Sequence, residues 1–94
     1  MKLETIINDA IATINETLQI DALKTLKSDT PLFELLDSLG TLDLILELEA
    51  RLEEEQGNYI AVADETSMDS KKTPFKTLHS LEEYLRQRIK HESY

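Results

Sequence analysis

Ser38 stands between Asp37 and Leu39 in the stretch LFELLDSLGTLDLILELEARL, residues 32–52. A serine hydroxyl has three uses there. It can cap a helix, because the first turn leaves backbone amides unpaired and the positive helix end favours an oxygen or an anion. It can act as a nucleophile, or it can carry a phosphodiester whose charge would lie at that same positive end. A hydrolytic nucleophile needs a base, yet no G-x-S-x-G elbow surrounds Ser38. The two histidines fall at the approach to the last helix, His79, and in the C-terminal tail, His91. No catalytic triad is expected, and from spacing alone the cap is the simplest use of Ser38.

The remaining reactive residues form no site by type and spacing. The chain has no cysteine, and neither histidine has a second ligand close in sequence, so no metal is expected. The acidic run DETSMDSKKTPF, residues 64–75, has Met68 at the fifth position of a would-be calcium loop and no glutamate at the twelfth. Glu53, Glu54 and Glu55 read as a solvated helix end.

Nineteen acidic residues against ten basic ones give a net charge of −9. That charge repels phosphate backbones and anionic membranes and attracts basic protein surfaces, so no nucleic-acid partner is expected. Eight of the acids fall between Glu34 and Glu55, opposed only by Arg51, a local charge of −7. The length of 94 residues predicts a single domain spanning residues 1–94. The first residues, MKLETIINDAIATI, have neither the apolar region of a signal peptide nor a membrane span. A soluble, cytoplasmic chain is expected.

Four elements are needed to place these residues. Leu3, Ile6, Ile7, Ala10, Ile11, Ile14 and Leu18 recur at three-and-four spacing and predict helix 1 over about 3–18. Asp29, Thr30 and Pro31 interrupt any helix, so a long ordered loop pinned by Leu26, Leu32 and Phe33 is expected next. Helix 2 runs from about 38 to 55 and stops at Gly57. Tyr59, Ile60 and Val62 anchor the following segment, in which a short helix 3 is placed at about 66–70. Helix 4 spans about 80–90, with Ser80 and Glu83 as a capping box, before a frayed tail from His91. The predicted fold is all-α, a small four-helix bundle of three long helices and one short one.

Helix 2 carries two apolar stripes. At about 100° per residue, Leu44, Ile45, Leu48 and Leu52 share one arc, while Leu39, Leu42 and Leu46 share another, beside Ser38 and flanked by Asp43, Glu47 and Glu49. The first is a core face. The second is either a docking surface with an acidic border or a second buried face of a central helix, and the burial of its three leucines decides between them.

The Asp37-Ser38-Leu39 core, its DTPLFE approach and the leucine pattern through Glu49 resemble the modification site and recognition helix of the acyl and peptidyl carrier proteins. The resemblance extends over essentially the whole chain, FKTLHSLEEYL being similar to the family's closing helix. It departs from the family at Leu35, where many members have glycine, and at Gly40, where many have an acid. The LLDSLGT form is similar to D-alanyl carrier proteins and stand-alone carriers, but the segment from Asp64 onward is less so, and no D-alanine cargo is assigned.

The resemblance implies an acyl-carrier-like bundle that is not an enzyme. Ser38 would carry a 4'-phosphopantetheine arm derived from coenzyme A, attached by a phosphopantetheinyl transferase that Asp37 helps to engage. An acyl- or aminoacyl-activating ligase would then load the arm thiol as a thioester for downstream acyl-processing enzymes. Leu39, Leu42, Asp43, Leu46, Glu47 and Glu49 would face these partners, and the carrier would work as a monomer. The competing expectation is an unmodified acidic helical adaptor that binds a basic protein.

Overall fold

The first helix follows directly from its apolar spacing. In the computed structural model, which describes residues 2–92, α1 spans Leu3–Leu18 and buries Leu3, Ile6, Ile7, Ala10 and Ile11. Its exit is fixed by Asn15, whose side chain accepts the Ile20 N–H at 2.8 Å and donates to the Ile20 carbonyl at 3.0 Å. Gln19 there takes a left-handed turn, φ 55°, and its amide closes back on the Asn15 carbonyl at 2.8 Å.

The stretch expected as a loop is more ordered than its breakers imply. Asp21–Lys24 forms a 3-10 turn, and α2, running to Gln56, begins at Leu32 with a short helical piece the sequence reading did not contain, ahead of the helix expected from about Ser38. Pro31 ends what precedes it but stands just before α2, where a missing amide costs nothing. Leu32 is fully buried, and Leu26 and Phe33 pack half-buried against the core. Gly57, at φ 78°, ends α2 in a left-handed cap.

The last helix, α3, spans Leu78–Glu92, two residues earlier and two later than its sequence reading. Its cap is Thr77: Thr77 Oγ1 accepts the Ser80 amide at 3.1 Å while Ser80 Oγ accepts the Thr77 amide at 3.0 Å. Ser80 is therefore the inner partner of a capping box rather than its start. His91 and Glu92 belong to the helix, and Ser93 and Tyr94 lie outside the described residues.

The short helix expected at 66–70 is not formed. Residues 65–68 and 70–72 are turns, built on aspartate side chains that accept nearby amides: Asp64 takes Thr66 N–H at 2.8 Å, and Asp69 takes Lys71 N–H at 2.9 Å. Local aspartate bonding wins over a helical turn here. The Thr66 hydroxyl, which also donates to Asp64, is the main cause holding that carboxyl below its ordinary pKa. The described residues thus form an all-α unit of three α-helices with no strand. Its radius of gyration, 12.3 Å, matches the roughly 12 Å expected of a compact chain this long.

Between α2 and α3 runs a strap without regular secondary structure, residues 59–64, whose main chain is held by side chains of both helices. Glu49 of α2 accepts the Val62 amide at 2.9 Å. From α3, the Tyr84 hydroxyl donates to the Val62 carbonyl at 2.5 Å, and Arg88 donates twice to the Ala61 carbonyl, at 2.7 and 3.0 Å. Burial is the chief cause pushing the Tyr84 pKa up to about 12, so it stays a donor at neutral pH. Ile60 and Val62 are buried as anchors, whereas Tyr59 is exposed, contrary to its sequence reading.

Candidate functional site

Asp37 breaks α2 into two helical pieces. Its backbone has φ 53° and ψ −164°, a conformation close to one that glycine alone populates freely. The second piece therefore starts at Ser38, and its amides need a cap. Asp37 supplies it: Oδ1 accepts the Leu39 amide at 3.0 Å and the Gly40 amide at 3.4 Å. Ser38 is the first helical residue, exposed, and its hydroxyl makes no hydrogen bond among the described residues. The cap read for Ser38 belongs to its neighbour.

Gly40 lets the two pieces close up. A Cβ at this buried position would lie 3.0 Å from Leu36 Cβ and 3.2 Å from Leu36 Cδ2. An acidic side chain, which the carrier resemblance would place there, would require Leu36 to give way by a few tenths of an ångström.

The cap explains an expected pattern of stability. Asp37→Ala loses the oxygen and keeps the strained φ, so chemical denaturation should show a loss of about 1 kcal/mol or more. Asparagine retains an acceptor, and glycine relieves the strain and caps nearly as well, so both should stay within about 0.5 kcal/mol of wild type.

Beyond Ser38 the two stripes of α2 separate cleanly. Leu44, Ile45, Leu48 and Leu52 are buried, whereas Leu39, Leu42 and Leu46 are 75%, 45% and 57% exposed. The second-buried-face alternative is thereby excluded for these three leucines. They form an outward ridge that starts at Ser38.

The acids flanking the ridge differ in what they do. Asp43 is exposed and makes no hydrogen bond or ion pair among the described residues. Glu47 is half-buried and pairs with Arg51 at 2.8 Å, and Arg51 also donates to Thr13 Oγ1 of α1 at 2.7 Å. Glu49, likewise half-buried, is the α2 anchor of the strap. Sequence spacing placed all three on the border, but Thr13 and Val62, which decide the roles of Glu47 and Glu49, are remote in sequence.

Thr41, one turn after Ser38, was missed by sequence reading. Its hydroxyl is fully buried and has no hydrogen-bond partner among the described residues. Replacing the hydroxyl with a methyl of equal shape removes an unsatisfied group, so Thr41→Val should raise unfolding stability by about 1 kcal/mol in a denaturant titration.

Other chemistry finds little support in the geometry. His79 and Glu83 are 4.0 Å apart on the exposed side of α3. No group of three or more His, Cys, Asp or Glu side chains among the described residues is arranged to hold a metal ion. No helix among them is long and apolar enough to cross a membrane. Beside Leu46 an open groove of about 380 Å³ runs between Thr13, Ile14 and Thr17 of α1 and Asp43 and Glu47 of α2.

Comparison with protein-family models, curated proteins and solved structures finds no match to this chain.

Proposed function

We propose that the chain is a carrier protein that holds acyl or aminoacyl groups as thioesters on a 4'-phosphopantetheine arm at Ser38. The observation that carries this reading is an exposed serine hydroxyl at the head of a helix that it does not cap, directly before an exposed leucine ridge. A plain cap needs the oxygen turned to the amides, and here Asp37 performs that task. The sequence resemblance supplies the identity of the group.

The site is compatible with the arm. Asp37 already fills the helix-end amides of Leu39 and Gly40, so Ser38 Oγ would hold the phosphodiester through its ester bond, with the charge in solvent. In the loading step Ser38 Oγ attacks the pantetheine-side phosphorus of coenzyme A. The Oγ–P bond forms, the pyrophosphate bond breaks, adenosine 3',5'-bisphosphate leaves and the hydroxyl proton passes to a base on the transferase. The arm supplies the thiol for thioester exchange. This chain presents it, and the ridge docks the enzymes that load and unload it. Limited apolar burial keeps such docking brief, while the net charge of −9 speeds encounter with basic partners.

The reading is tested by intact-mass spectrometry after incubation with coenzyme A and a broad-specificity phosphopantetheinyl transferase. Gain of a single phosphopantetheinyl unit is expected. An unchanged mass, under conditions that modify a control carrier, would favour an unmodified adaptor that binds a basic protein.

A further inference from the structure

We infer that docking to this site is specified by the apolar ridge together with Asp43, the one of its three flanking acids without an internal partner among the described residues, and that Glu47 and Glu49 are positioning residues of the fold rather than partner contacts. The inference rests on the carrier reading and narrows it.

Leu39, Leu42 and Leu46 project at intervals of three and four residues over about 10 Å of helix, the pattern by which a helix lies in an apolar groove. Six α2 side chains were candidates for this contact, and the structure divides them. The three leucines and Asp43 are exposed and uncommitted among the described residues. Glu47 forms a half-buried pair with Arg51, which in turn ties α2 to α1. Glu49 gives an oxygen to the Val62 amide, and withdrawing it would leave the strap without its α2 anchor. A partner that drew on either acid would have to break an internal contact as it docked.

The matching surface is therefore an apolar trough edged by a basic group opposite Asp43, not a broadly basic face. Long-range attraction to the −7 segment acts on encounter, whereas the trough and that one charge act on the docked complex.

Steady-state kinetics of Ser38 modification by the transferase, with the protein as varied substrate, test this. Leu42→Ala and Leu46→Ala should each raise KM about tenfold. Asp43→Asn should raise it about threefold, as expected for a charge at a contact rim. Glu47→Gln and Glu49→Gln keep a side-chain acceptor for their internal partners and should change KM by less than about twofold. Hydrogen exchange at the Val62 amide shows whether the strap is intact, Glu49→Ala serving as the variant that frees it.

A modified wild type in which Glu47→Gln or Glu49→Gln raises KM as much as Asp43→Asn, with Val62 still protected, would overturn the inference and leave the carrier reading standing. Leucine variants with unchanged KM would overturn it too. A wild type that takes up no phosphopantetheine would overturn the carrier reading, and the inference with it.

Discussion

Ser38→Ala should abolish phosphopantetheine uptake completely while leaving stability unchanged or slightly raised. The two halves of this expectation come from the same geometry. Uptake is lost because the oxygen that forms the ester is gone. Stability is kept because Ser38 is exposed, makes no hydrogen bond among the described residues and gives way to a better helix former. Had Ser38 been the cap, the substitution would cost about 1 kcal/mol. Intact mass after transferase treatment and a denaturant titration on the same variant read the two halves separately. Loss of uptake accompanied by a cap-sized loss of stability would contradict the assignment of the cap to Asp37.

Phe75→Ala is expected to have the largest effect on folding. Phe75 is fully buried, with its ring centroid 6.5 Å from that of Tyr84, and its carbonyl accepts the Phe33 amide at 3.0 Å, holding the start of α2 against the approach to α3. Truncation removes a large apolar side chain and leaves a cavity, a loss of about 3–5 kcal/mol. Small domains have only about 5–15 kcal/mol in all. The thermal midpoint should fall by on the order of 12–40 °C. Leu42→Ala, on the ridge, should stay within about 0.5 kcal/mol of wild type, the range of ordinary surface substitutions. Equal losses for the two variants would place the ridge in the core and remove the docking surface.

What could be read from the sequence depended on whether the deciding contact was local. The extent of α1 follows from its spacing alone, and the two stripes of α2 follow from helical periodicity, since both are properties of neighbours along one helix. The break at Asp37 was hidden because it depends on Leu36 and Gly40 approaching without a side chain between them. The cap was misplaced by one residue, for aspartate and serine are about equally good caps and stand side by side. Pro31 was read as a breaker, although the same residue is well suited to the position where a helix starts. Residues 66–70 read as a helical turn because spacing does not reveal that Asp64 and Asp69 accept the amides two residues after them.

The site shows the same division. Ser38 and the leucine ridge stood out because type and spacing marked them, and the exposure of the leucines agrees with a contact surface. The committed roles of Glu47 and Glu49 were not visible, because their partners come from α1 and from the strap. Of the six candidates, the side chains of Leu39, Leu42, Asp43 and Leu46 are exposed and make no hydrogen bond or ion pair among the described residues, whereas Glu47 and Glu49 are bonded internally.

The most direct test of the carrier reading is fragmentation mass spectrometry of the wild-type chain after reaction with coenzyme A and a transferase, to locate the added group. A phosphopantetheinyl unit confined to Ser38 is predicted. A group on any other residue, or none where a control carrier is fully modified, would contradict it.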